Sequence, residues 1–279
     1  MEISTVETGF FKLDGGAMFG VVPKKIWNKL NPADENNLCT WAMRCLLVRH
    51  DDRLILIDTG IGDKQDEKFF AHYELHGDKT LIGSLAEQGV KPEDITDVFL
   101  THLHFDHVGG AISRVDGKLV TTFPNAKYWS SERHWNWASH PNARERASFL
   151  MDNIAPLKDS DQLYFVESED MKPFGNGFEI IFVDGHTERM MLPLLNVNGK
   201  KYLFCADLMP SMAHVAVPYV MGYDMRPLIT VREKEFILRR CALENITLIF
   251  QHDPNIEACT VVHGEKGIRA GDPVVIGSF

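Results

Sequence analysis

Thr101-His-Leu-His-Phe-Asp-His-Val-Gly-Gly110 is the stretch on which the reading of this sequence turns. It sets His102, His104, Asp106 and His107 within six residues, directly after the strand-like run Asp97–Thr101 and directly before a glycine pair. Imidazole nitrogens and carboxylate oxygens are the donors that a borderline divalent cation takes. Alternate side chains of an extended segment leave on the same side, so His102 and His104 suit one cation. Asp106 and His107 stand where the chain turns toward a helix, which lets them face a second cation beside the first. The whole chain of 279 residues holds only 12 histidines, so a chance polar loop is a poor account of four such donors in six positions.

This segment resembles the metallo-β-lactamase superfamily, whose HxHxDH signature matches His102, His104, Asp106 and His107 without a gap. The resemblance extends from about Gly15 to His252. It implies an α/β fold, an αββα sandwich of two mixed β-sheets packed face to face with helices outside. It also implies three more ligands after later strands: His186 in Val183-Asp-Gly-His-Thr187, Asp207 in Phe204-Cys-Ala-Asp-Leu208 and His252 in Phe250-Gln-His-Asp253. Carried over position by position, His102, His104 and His186 would hold one metal ion. Asp106, His107 and His252 would hold the other, and Asp207 would bridge the two. Asp58, in Leu56-Ile-Asp-Thr-Gly60, resembles a further family motif and is expected to orient the metal loop through hydrogen bonds. One departure stands out. Family members commonly continue the third-histidine loop as His-Thr-Pro-Gly-His, whereas here Glu188, Arg189 and Met190 follow His186-Thr187. The preset Pro-Gly turn and a second histidine are both missing.

The resemblance implies a dinuclear metal-dependent hydrolase. A hydroxide bridging two metal ions attacks a carbonyl, because metal binding lowers the pKa of water toward about 7. Asp207 as the bridge and Asp106 as a carrier of the leaving-group proton are the implied catalytic carboxylates. The all-His/Asp set looks more like the lactonase, glyoxalase II and phosphotriesterase branches than the β-lactamases with a cysteine ligand. The segment Asp14–Pro23 looks like that of lactonase-like small-molecule hydrolases. The expected substrate is therefore a small neutral ester or lactone, as in an acyl-homoserine lactonase. The alternatives are a glyoxalase II-like thioesterase, a phosphotriesterase and, in another class, an iron-dependent sulfur or oxygen oxidoreductase on the same fold. A non-catalytic binding protein would show lost ligands, and none is lost. Zinc is the expected metal, with iron and manganese as alternatives.

The rest of the sequence bounds these readings. With 44% hydrophobic and 24% charged residues the composition is that of an ordinary folded protein, expected as one domain over residues 1–279. Lys plus Arg is 29 and Asp plus Glu is 39, a net charge of −10. This balance and the lack of a basic stripe argue against a nucleic-acid partner. Five widely spaced cysteines read as reduced buried thiols. With no basic and then apolar leader and no apolar run near 18 residues, the expectation is a cytoplasmic protein with no membrane segment. A homodimer is left open.

Phe10–Leu13 reads as a strand leading into a Gly15-Gly16 turn, Arg44–Val48 and Leu54–Ile57 as a hairpin, Thr80–Gln88 as a short helix ended by Gly89, and Ser131–Ser139 and Asn142–Met151 as helices broken at Pro141. Phe178–Val183, Met190–Val197, Lys201–Ala206 and Thr247–Phe250 read as strands. Thr230–Leu243 is the clearest amphipathic helix, with Phe236, Ile237 and Leu243 on its expected inner stripe. The segments expected to border the metals, Gly15–Trp27 and Met209–Tyr223, are rich in Met, Phe, Trp and Tyr. They nominate Phe19, Trp27, His214 and Tyr219 for an apolar substrate pocket, and Phe105 of the metal loop joins them. A glutathione thioester would instead need basic partners, for which Arg189 and Arg226 are the candidates.

Overall fold

Two six-stranded sheets, each running in chain order, carry the architecture of this computed structural model, which describes residues 1–265 and 267–277. The first comprises β1 (Glu2–Val6), β2 (Cys45–His50), β3 (Arg53–Ile57), β4 (Asp97–Phe99), β5 (Lys127–Ser130) and β6 (Leu163–Phe165). The second comprises β7 (Phe178–Val183), β8 (Met190–Val197), β9 (Lys200–Phe204), β10 (Thr247–Ile249), β11 (Ala258–Gly264) and β12 (Gly267–Val274). Parallel and antiparallel pairs mix in both sheets.

Period-two alternation builds the layers. In β2, Leu46 and Val48 join the core between the sheets with Ile180, Phe182 and Leu192 of the second sheet. Cys45 and Leu47 face the other way, toward Leu81, Leu85, Trp135, Ile154 and Leu157 of the covering helices. Each such Leu or Val contributes roughly 1.5–3 kcal/mol on burial. The long helix Pro227–Glu244 lies on the second sheet, so the αββα sandwich expected from the sequence is the fold observed.

Strand ends then position the chemistry. His102 follows Phe99 by three residues, His186 follows Val183 by three, Asp207 follows Phe204 by three and His252 follows Ile249 by three. Parallel pairing keeps these offsets in register. Ile57 lies opposite Phe99, which brings Asp58 beside the metal loop, and Phe204 lies opposite Ile249, which brings Asp207 beside His252.

Three readings differ from the structure. Gly15-Gly16 opens a short helix, Gly15–Phe19, whose first turn is capped by the Asp14 carboxylate on the Ala17 N–H at 2.7 Å. Residues 142–150 hold only a 3₁₀ turn, Arg146–Ser148, and the helix is Met151–Asp159. The Asn142 side-chain oxygen accepts from the backbone N–H groups of Arg144 and Glu145 and so ends the chain's helical course there. The helix Pro227–Glu244 buries Thr230, Lys234, Ile237, Leu238 and Cys241, while Phe236 and Leu243 are 70% and 78% exposed. A lysine inside the true stripe disguises it. Burial pushes Lys234 down to about 7, and its Nζ donates to the carbonyls of Ala216 and Tyr219 at 2.9 and 2.8 Å. Ile237→Ala is therefore expected to cost about 2–4 kcal/mol of unfolding free energy and Phe236→Ser less than about 0.5 kcal/mol. Urea denaturation checks this, and equal losses would refute the assignment of faces. Among the described residues no helix is long and apolar enough to cross a membrane.

Candidate metal centre

The turn after β4 is folded by close backbone approach. A Cβ on Gly109 would lie 2.0 Å from the Ile61 carbonyl oxygen, and one on Gly110 would lie 2.2 Å from that of Thr59. Only glycine lets the short helix Phe105–Val108 close against the loop after β3. Asp58, Ala206 and Arg189, all beside ligand positions, hold positive φ of 57°, 41° and 56°. Such backbone costs on the order of 1–3 kcal/mol per residue and persists only where its surroundings over-determine it.

Seven buried side chains converge there in two groups, His102, His104, His186 and Asp207 in one and Asp106, His107 and His252 in the other. Within each group the donor atoms lie within 4.8 Å of one another. In the first, His104 Nδ1 lies 3.1 Å from His102 Nε2 and 3.2 Å from His186 Nε2, and His186 Nε2 lies 3.2 Å from Asp207 Oδ2. In the second, His107 Nε2 and His252 Nε2 are 3.3 Å apart, and each lies 3.7 Å from Asp106 Oδ2. Asp207 Oδ1 faces the second group, 3.4 Å from His107 Nε2 and 3.1 Å from His252 Nε2. Asp207 thus turns one oxygen to each group.

The outward nitrogens of the five imidazoles are all held. Asp58 accepts from the Thr101 N–H at 2.8 Å, the Thr101 hydroxyl at 2.7 Å and His107 Nδ1 at 2.9 Å. With its own proton given to Asp58, the Thr101 oxygen accepts from His102 Nδ1 at 3.1 Å. His186 Nδ1 donates to Asp224 at 2.9 Å, His252 Nδ1 to the Ala42 carbonyl at 2.7 Å and His104 Nε2 to Glu145 at 2.9 Å. In the neutral rings that a cation requires, each inward nitrogen is left with a lone pair, and the inward nitrogens face one another at about 3 Å. Asp207 Oδ1 is buried with no hydrogen-bond partner. Five nitrogen lone pairs and two carboxylates around that oxygen form a donor set that fits divalent cations.

The electrostatics carry the same strain. Burial, with His107 and His104 alongside, pushes His102 well below the usual histidine range. Burial also opposes charge on His107, yet the carboxylates of Asp106, Asp207 and Asp58 hold it well above that range. For Asp207, burial is outweighed by the imidazoles of His107, His186 and His252, which hold it well below the carboxylate range.

Above the seven donors opens a cleft of about 340 Å³, walled by Leu13, Met18, Tyr73, Phe105, Met221 and Tyr223 among others. Of the residues nominated for the pocket, Phe105 lines it and the other four do not. Phe19 is sealed beneath, stacked on Trp27 at 5.3 Å and on His214 at 4.9 Å. His214 is occupied by Ser211 and the Met18 carbonyl, at 2.7 and 2.9 Å. Tyr219 packs its edge on Phe19 and lines a separate groove. Phe19, Trp27 and His214 form the buried layer under the wall, because the stretch folds its largest rings inward. Glu145, Asp224, Tyr73 and Arg144 were not nominated at all, since no spacing along the chain marks them.

The irregular third-histidine loop is clasped by charge. Glu188 pairs with Arg133 and with Arg226, the latter at 2.6 Å, and its carbonyl accepts from His134 Nδ1 at 2.6 Å. The N–H of Arg189 closes the loop on Asp184 at 2.8 Å. Neither Arg189, whose guanidinium lies 3.8 Å over the Phe182 ring, nor Arg226 lines the cleft.

The family model of the metallo-beta-lactamase superfamily matches residues 44–239. A probable metallo-hydrolase of Mycobacterium bovis is 24% identical over 232 residues, 76% of this chain and 71% of its own length. A probable metal-dependent hydrolase of Staphylococcus aureus superposes with a TM-score of 0.89 at 28% identity, over 98% of this chain and 96% of its own. The dizinc quorum-quenching lactonase AidC shares the fold with a TM-score of 0.80 at 20% identity, over 99% of this chain and 95% of its own. A family model spanning most of the chain, with its signature residues gathered at one edge of the sandwich, shows that this chain belongs to the metallo-β-lactamase superfamily, as a hydrolase of the metal-dependent kind.

Proposed function

We propose that the chain binds two divalent cations, zinc first, and hydrolyses small neutral lactones or esters that carry an apolar arm. His102, His104 and His186 hold one cation, Asp106, His107 and His252 hold the other, and Asp207 serves both. The observation that carries this reading is the unpartnered Asp207 Oδ1, facing one group while Oδ2 faces the other. When bound, the cations supply a water acidified toward neutrality and a Lewis acid for a carbonyl oxygen. The residues supply the rest. Asp106 lines the cleft, where its carboxylate can carry a proton to a departing alkoxide. The anchored imidazoles stay in fixed tautomers, and the apolar walls exclude water from the ester.

Leu13, Met18, Phe105, Met221 and Met225 favour an apolar arm. Arg144 is the one Lys or Arg among the described residues that line the cleft, too few for the two carboxylates of a glutathione thioester. The lactonase AidC, alike in fold, supports the lactone over the thioester. Specificity constants for lactones of rising chain length test the reading. Each methylene should add up to about 0.8 kcal/mol, roughly fourfold, until the cleft is full. A flat response, or a glutathione thioester that outruns every lactone and ester, would overturn the substrate assignment.

A further inference from the structure

The third-histidine loop, which lacks the Pro-Gly-His continuation, is held at Thr187 by a carboxylate from another turn of the chain, Glu145. Glu145 is 2% exposed, and its carboxylate collects four donors. Oε1 takes His104 Nε2 at 2.9 Å and the Thr187 hydroxyl. Oε2 takes Trp137 Nε1 at 2.6 Å and Asn142 Nδ2 at 3.2 Å. These donors come from the loop after β4, the loop after β7, the helix Glu132–Ser139 and the turn that carries Glu145 itself. Asn142 returns the bond by accepting the Glu145 N–H at 3.1 Å, so the turn is braced from both sides.

A carboxylate flanked by four donors can only accept. His104 therefore carries its proton on Nε2 and presents a bare Nδ1 to His102 and His186. Neutral imidazole has two tautomers, and the other would aim an N–H into the cluster of lone pairs. Asp58, Asp224 and the Ala42 carbonyl each fix one ligand histidine directly. Glu145 differs in also gripping Thr187, the residue after His186, and so ties two ligand loops to one oxygen.

We propose that Glu145 is a positioning residue that sets His104 as an Nδ1 donor and locks the His186 loop to it. The proposal rests on the two-cation reading above and is tested apart from it. Chelator competition on the zinc-loaded protein gives the affinity of each site. Glu145→Gln, which keeps the shape but brings an NH2 among donors, should weaken zinc at the His102–His104–His186 site by about 10–100-fold. The Asp106–His107–His252 site should hold zinc within about twofold of the wild type, since Glu145 touches none of its members. With cobalt in place of zinc, the visible absorption of the first site alone should change. Ring NMR on the unaltered zinc-loaded chain should place the His104 proton on Nε2, a result that needs no variant to fold. Wild-type affinity at both sites in Glu145→Gln, or an Nδ1-protonated His104, would overturn the proposal and leave the two-cation reading intact. An unaltered chain that takes up no zinc would overturn that reading instead.

Discussion

Asp207→Ala is expected to leave a folded chain that retains markedly less zinc and turns over at least about a thousandfold more slowly. Among the described residues, Asp207 is the one carboxylate with an oxygen turned to each group, Oδ2 3.2 Å from His186 Nε2 and Oδ1 3.1 Å from His252 Nε2. Removing it takes a negative charge from between three imidazoles, those of His107, His186 and His252, and would leave the two proposed cations to repel each other across the gap. A thousandfold corresponds to about 4 kcal/mol of lost transition-state stabilisation, within what a cation contributes to a developing oxyanion. Elemental analysis and steady-state kinetics measure the two effects together. Asp207→Asn separates charge from shape and should sit between the wild type and alanine in zinc content. Full occupancy with retained activity in Asp207→Ala would remove Asp207 from its shared position.

Gly109→Ala is expected to lose about 3 kcal/mol or more of stability and to weaken metal retention with it. The added methyl would lie 2.0, 2.4 and 2.8 Å from the oxygen, carbon and Cα of Ile61, all backbone, so no side chain can swing aside. The loop that would have to yield is the one that follows Asp58. It is held by the Thr59 N–H on the His107 carbonyl at 2.8 Å and by the Gly110 N–H on the Gly60 carbonyl at 3.0 Å. Displacing it therefore moves Asp58 away from His107 and Thr101. Urea denaturation with and without chelator reads both parts. Gly277→Ala, where a methyl meets nothing within 4 Å, is the matched control and should be near neutral.

What could be read from the sequence follows strand ends. His102, His186, Asp207 and His252 each stand at a fixed short offset after an apolar run, and an offset is a local property that the chain displays directly. Glu145 and Asp224 serve the same centre, but through bonds to residues 41 and 38 positions away, and no local pattern encodes such a distance. The pocket misreadings have another cause. Composition near the site identified an aromatic layer, yet whether a ring faces the cleft or the interior depends on tertiary packing. Phe19 and Trp27 stack on each other and turn inward, whereas Tyr73, brought from a stretch with no apolar bias, meets Phe105 at 4.7 Å and becomes wall. The helix Pro227–Glu244 was misjudged by face for a related reason, since a hydropathy pattern cannot know that Lys234 finds two carbonyls inside.

Two carboxylates carried by the loops of the cleft wall also bear on how this enzyme can change. Glu145 sits in the same turn as Arg144, Ala147 and Ser148, and Asp224 lies between Tyr223 and Met225, so both wall loops carry an anchor of a ligand histidine. Remodelling either loop to admit a new substrate disturbs the metal ligands in the same step. Leu13, Met18 and Tyr73, on the facing wall, make no hydrogen bond to any of the seven donors. Substrate range is free to drift on that side, and a mutational library confined to those three positions samples acceptance without spending variants on chains that cannot hold metal.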